Sequence, residues 1–271
     1  MTEARPVVDS VPPDPPAALL AGRVGNVAYL NSVPLTWGWE RHVLFAPPSR
    51  LAALLQRDQL DAAVVSITEV LFTDRYDVLD GVAIAARGAV ASVFLAHRVP
   101  LEAVTTVACD EASLTSVNLL RVLLGERGLR PQLRPLGDYA GAPREEAVLL
   151  IGDRALEFAR GGHAHRILDL GADWFAMTGL PFVFAAWALR RGAHDEELRR
   201  GLRAACRHGV ASLPRIVAER TEFEREFRQA YFDRHVYFAL GAEEKRGLAR
   251  FVELLRRHAP PGTRVSEPQF V

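Results

Sequence analysis

The chain has 271 residues, 49% of them hydrophobic, and a formal net charge of zero. That length buries a substantial core and suits two lobes or one large domain. The balanced charge leaves no electrostatic footprint for nucleic acid or a membrane surface, and neither is expected as a partner.

Residues 1–21 hold Pro6, Pro12, Pro13, Pro15 and Pro16 with acidic Glu3, Asp9 and Asp14. A secretory signal needs a basic start and an unbroken apolar stretch, so this segment is expected to be a disordered tail. No later apolar run reaches membrane-spanning length, since 180–189 is short and contains Pro181. A soluble, cytoplasmic protein is the expectation.

Residues 23–30 read as a buried strand carrying Val24, Val27, Ala28 and Leu30. Tyr29, Asn31 and Ser32 put hydrogen-bonding groups at its carboxyl end, and Pro34 stops it. In open α/β sheets ligands are held at that end of a strand. The plain alternative is a strand followed by an Asn-Ser turn. Ser49 is expected to cap a helix with Leu51, Leu54 and Leu55 inward. Strands follow over 62–67, 82–86, 91–97 and 104–110, with Ser92 in the third.

Ser113, Thr115 and Ser116 then open a helix carrying Val117, Leu120, Leu123 and Leu124. Hydroxyls in front of free backbone N–H groups make a carboxylate socket, although a single such cap is often only a cap. Strands are expected over 132–136 and 147–152. Asp153 is expected to cap a helix that Gly161-Gly162 ends. Thr178 and Gly179 lead through Pro181 into a strand over 180–189, and Gly179 permits close backbone approach to a ligand. Beyond it the pattern is helical to the end.

Successive βα units, a return strand and terminal helices predict an α/β fold of two lobes with mixed sheets and a helical C-terminal region. The expected boundaries are 22–96 plus 188–271 for lobe 1 and 97–187 for lobe 2. A cleft between lobes suits a small ligand. Its candidate lining is Tyr29, Asn31, Ser32, Ser92, Ser113, Thr115, Ser116, Thr178 and Gly179.

No GxSxG, HExxH, GxxxxGK[ST] or complete dinucleotide fingerprint occurs. Cys109 and Cys206 lack CxxC spacing, and His163 with His165 has no third ligand, so no metal site is expected. Asp110 and Asp153 are read as helix caps. Chemistry here would rest on positioned neutral groups and peptide dipoles. The basic residues are arginines except Lys245, and arginine suits bidentate carboxylate capture.

Tyr29-Leu-Asn-Ser-Val-Pro-Leu35, Pro48-Ser-Arg50, Asp61 with Ala63 to Ser66, Ser92-Val93, Asp110 with Ser113-Leu-Thr-Ser116, Leu150-Ile-Gly-Asp153 and Thr178-Gly-Leu-Pro-Phe-Val183 follow one another along the chain. In that order they resemble the chorismate dehydratases of the futalosine route to menaquinone. Leu114 stands where that family is expected to carry arginine. The resemblance implies a periplasmic-binding-protein type II fold and a cytoplasmic lyase without metal or organic cofactor. It implies chorismate as substrate and 3-[(1-carboxyvinyl)oxy]benzoate as product; on that basis Asn31 is the expected catalytic residue, holding the substrate in its reacting conformation. Two rivals share the fold: the 1,4-dihydroxy-6-naphthoate synthase of the same route, and a non-catalytic small-anion-binding protein.

Overall fold

The computed structural model describes residues 12–21 and 23–271. After a short helix α1 (Ala17–Leu20), β1 (Val24–Asn26) and β2 (Leu44–Phe45) flank a 3-10 segment, Leu30–Leu35. Then come α2 (Pro48–Gln56), β3 (Ala62–Ser66), α3 (Ile67–Phe72), β4 (Tyr76–Ala86) and β5 (Val93–His97). The middle of the chain supplies β6 (Thr106–Cys109), α4 (Leu114–Glu126), β7 (Gln132–Pro135), β8 (Ala147–Ile151), α5 (Gly152–Arg160), β9 (Arg166–Asp169) and α6 (Leu170–Thr178). It closes with β10 (Phe182–Arg190), α7 (Glu196–Ala211), α8 (Leu213–Glu219), α9 (Arg225–Arg234), β11 (Tyr237–Leu240), α10 (Ala242–His258) and β12 (Gln269–Phe270).

The strands form two mixed sheets. The first runs β11-β4-β10-β3-β1-β2, with β12 added on β4, and the second runs β7-β6-β8-β5-β9. In the first sheet β1 lies parallel between β2 and β3, and β10 returns antiparallel between β3 and β4. β10 belongs there because Phe182, Val183, Phe184, Trp187 and Leu189 are all buried, as a strand covered on both faces requires.

Sheet membership moves the lobe boundaries from those expected at 97 and 187. Val93–His97 pairs with β8 and β9 in the second sheet, and the whole of β10 pairs in the first. The chain therefore crosses between lobes at about 87–92 and 179–181. One of three hydrophobic clusters spans both lobes, joining Leu51 and Val65 to Leu119, Leu149, Trp174 and Phe251.

Three local expectations are corrected. Residues 1–11 of the expected tail lie outside the described residues. Residues 12–21 are ordered by packing: Leu19 is fully buried, and Trp39 Nε1 donates to the Pro13 carbonyl at 2.7 Å. Ser49 does not cap α2. Pro47 holds that position and Pro48 starts the helix, where its missing N–H costs nothing. The C-terminal third is not wholly helical either, because β11 and β12 return to pair with β4. No helix among the described residues is long and apolar enough to cross a membrane.

Candidate functional site between the lobes

Asn26 sets up the site from beneath. It is a fully buried amide inside an apolar strand, and every polar atom of its side chain is used. Its Nδ2 donates to the Ser32 carbonyl (3.2 Å) and Thr36 Oγ1 (3.0 Å), and its Oδ1 accepts from Val27 N (2.8 Å). These bonds turn the chain out of the sheet after three strand residues and fold it into the 3-10 segment carrying Asn31. Ser32 braces the same turn, its Oγ lying 2.5 Å from the Val27 carbonyl and 3.0 Å from that of Tyr29.

A cavity of about 50 Å³ lies where the lobes meet. From the first lobe Val27, Tyr29, Asn31, Ser66 and Phe184 line it; from the second, Val93, Ser113, Ser116, Ile151 and Gly152. No lysine, arginine or histidine is in this wall. Tyr29, Asn31, Ser113 and Ser116 are thus brought together as expected. Asn31 Oδ1 is buried and has no hydrogen-bond partner.

Ser113 caps α4, its Oγ accepting from Ser116 N (3.3 Å) and Ser116 Oγ (3.0 Å). Ser66, at the carboxyl end of β3, reaches across from the other lobe. Its Oγ accepts from Thr115 N at 2.8 Å, donates to Thr115 Oγ1 at 3.0 Å and lies 3.1 Å from Ser113 Oγ. Ser66 therefore occupies an amide at the helix start that an anion would otherwise use. Thr115 is itself fully buried, and its Oγ1 also accepts from Thr68 N (3.0 Å).

The remaining expected lining residues stand elsewhere. Ser92 is buried at the crossing between lobes, where its Oγ accepts from the Tyr231 hydroxyl (2.8 Å) and its carbonyl from Gly152 N (2.8 Å). Thr115 lies behind the wall and Ser32 beneath the turn. Thr178 and Gly179 end α6 outside the cavity. Thr178 Oγ1 donates to the Trp174 carbonyl (2.8 Å), and Gly179 closes the helix in the left-handed conformation with φ 69°.

The acids near the site also differ from expectation. Asp153 does not cap α5, whose N-cap is Ile151; instead its Oδ1 accepts from Leu30 N of the opposite lobe at 3.2 Å. Burial, reinforced by Glu222 and Glu157 against the Leu30 N–H, pushes its pKa up to about 6. Asp110 is not the cap of α4 but accepts from Ala112 N at 2.9 Å, and burial raises its pKa. Tyr29 is pushed up to about 12, chiefly by burial and then by Asp110 and Asp153. Its ring lies against Gly152, whose φ of 60° favours glycine, whereas a Cβ added there would meet the ring only at an ordinary contact distance of 3.4 Å.

Asn26, Ser66 and Gly152 were not among the expected site residues. An amide within an apolar strand is the signal that points to Asn26. Ser66 and Gly152 gain their roles only from the opposite lobe. His163 stacks on Phe158 and His165 lies edge-on to the same ring. Among the described residues no group of three or more His, Cys, Asp or Glu is placed to hold a metal ion.

The fold is shared with ligand-binding proteins of known structure. The alkanesulfonate-binding protein of Xanthomonas axonopodis pv. citri, solved with MOPS bound, superposes with a TM-score of 0.64 at 13% identity over 90% of this chain and 95% of that one. The periplasmic aliphatic sulphonate-binding protein of Escherichia coli gives 0.61 at 16% identity over 90% and 94%. These likenesses establish a periplasmic-binding-protein-like fold. In sequence, the chorismate dehydratase of Thermus thermophilus is 36% identical over 222 residues, covering 75% of this chain and 81% of that protein. The chorismate dehydratase of Campylobacter jejuni is 27% identical over 229 residues, covering 83% and 89%. A family model described as menaquinone biosynthesis matches residues 22–257, and the chain belongs to that family.

Proposed function

We infer that the protein is a chorismate dehydratase, a hydro-lyase that removes water from chorismate to give 3-[(1-carboxyvinyl)oxy]benzoate. Its identity to the Thermus enzyme over three quarters of the chain carries this reading. The finer expectation is that it serves the futalosine route in the cytoplasm.

The reaction breaks the C–H bond on the ether-bearing ring carbon and the C–OH bond on its neighbour, and the ring becomes aromatic. The cavity wall offers no histidine or carboxylate as base. The enolpyruvyl carboxylate of the substrate itself takes the proton and returns it to the departing hydroxyl, so that neutral water leaves. Asn31 and Tyr29 hold the folded conformer in which carboxylate and C–H meet, a contribution of positioning. The ring carboxylate is received by Ser113 and Ser116 at the start of α4, with Ser66 yielding its bond to Thr115 N. A helix terminus alone supplies about 0.3–1 kcal/mol, rising to about 2 when partly buried, so the hydroxyls are needed as well.

Incubating the purified protein with chorismate and following an aromatic product one water lighter tests the reading. Steady turnover is expected. Binding without product would instead favour an anion-binding protein, for which the sulfonate-binding fold is the precedent. No binding and no product would contradict the assignment and favour the naphthoate-forming lyase.

A further inference from the structure

Asn31 belongs to the first lobe, yet the backbone that delivers it is also held by the second. As the first residue of the 3-10 segment, Leu30 has no partner for its N–H within that segment. Asp153 supplies one from α5, 123 residues away, its Oδ1 accepting from Leu30 N at 3.2 Å. The carbonyl of the same peptide, that of Tyr29, is held from the first lobe by Ser32 N and Ser32 Oγ, each at 3.0 Å. A peptide is planar, so holding both its oxygen and its N–H fixes its plane. The two residues on either side, Tyr29 and Asn31, both line the cavity. The grip of α5 is apolar as well as polar. Leu156, three residues beyond Asp153 and on the same helix face, is buried in one hydrophobic cluster with Leu30 and Leu35.

We propose that Asp153 is a positioning residue: by taking the Leu30 N–H it fixes the Tyr29–Leu30 peptide, and with it the directions in which Tyr29 and Asn31 enter the cavity. This rests on the chorismate reading, in which those two side chains hold the folded conformer of the substrate. Asp153 is not part of the cavity wall, so its effect reaches the substrate only through that peptide. What the role requires is an acceptor atom at this place, not a negative charge. A reacting group misplaced by about 1 Å can cost about 10²-fold in rate. The ring carboxylate is received elsewhere, at Ser113 and Ser116, so the loss falls on the chemical step rather than on capture.

The test compares wild type, Asp153→Ala and Asp153→Asn, reading steady-state kinetics on chorismate and the hydrogen exchange of the Leu30 backbone amide. Asp153→Ala removes the acceptor. It should lower kcat at least about tenfold while KM stays within about threefold, a split that general loosening of the fold does not produce. Asp153→Asn keeps an acceptor oxygen without the charge and should bring kcat back to within about threefold of wild type. Protection of the Leu30 amide should fall at least about tenfold in Asp153→Ala and be retained in Asp153→Asn. Should Asp153→Ala not fold, Asp153→Leu removes the acceptor while filling its space and is expected to behave as Asp153→Ala does. Wild-type kcat in the variant lacking the acceptor, a loss carried by KM alone, an equal loss in Asp153→Asn, or unchanged Leu30 protection would each overturn the proposal. Wild-type protein that fails to convert chorismate would refute the functional reading alone, and Leu30 protection would still decide whether Asp153 holds the peptide.

Discussion

Asn31 and Asp153 lie a residue apart in contact terms, since Asp153 grips the Leu30 N–H that begins the turn. Asn31→Ala should cut turnover by about 10²–10³, the scale of losing one positioned hydrogen-bonding group in an active site, with little change in melting temperature. Initial rates beside thermal melts check this. Asp153 makes the opposite kind of claim, on stability. The native state holds its proton up to about pH 6, whereas the ordinary aspartate value is 3.8. Its stabilising contribution is therefore complete below pH 3.8 and is lost as pH rises through about 6. Asp153→Asn keeps an acceptor for Leu30 N without the charge. It should melt higher than wild type at pH 7.5 and converge with it at pH 4, by an amount bounded at about 3 kcal/mol. A difference that opens only at low pH would contradict this. At this scale the sequence was partly legible. Tyr29, Asn31, Ser113 and Ser116 reach the cavity because strand ends and helix starts point there. Ser92 and Thr115 look equivalent in the sequence, yet their hydroxyls are taken by Tyr231 and Ser66, partners 139 and 49 residues away. Local pattern cannot register such partners.

The 3-10 segment is held in place by α7. At Gly209 an added Cβ would lie 1.9 Å from the Pro34 carbonyl oxygen, a backbone atom that cannot swing aside. Gly209→Ala should push the turn and Asn31 away from the cavity. The expected result is destabilisation of about 1–3 kcal/mol, the usual cost of overpacking, together with a lower kcat. Denaturant unfolding and initial rates measure the two effects, and a variant with wild-type kcat would mean that α7 does not position the turn. Among elements, β10 was legible because its apolar run is continuous. The helix carrying Leu120, Leu123 and Leu124 was legible from its spacing. β9 and β11 escaped notice, since each is four residues long and sits at a sheet edge with exposed positions. Thr178 and Gly179 fall outside the cavity wall because the left-handed glycine ends α6.

At the scale of the whole molecule the two-lobed plan follows from the order of strands and helices, whereas the crossing points do not. Those depend on which sheet accepts β5 and β10, a matter of pairing rather than composition. The cavity of about 50 Å³ is far below the roughly 300–1,000 Å³ of pockets that hold small ligands, so it must widen to admit chorismate. Ser66 and Asp153 each bridge the lobes across it. The most direct measurement is a crystal structure of Asn31→Ala soaked with chorismate. It should show unreacted chorismate between the lobes, its ring carboxylate at Ser113 and Ser116 and its hydroxyl facing residue 31. Chorismate bound away from this crevice, or an empty crevice in a variant that still turns over, would contradict the account.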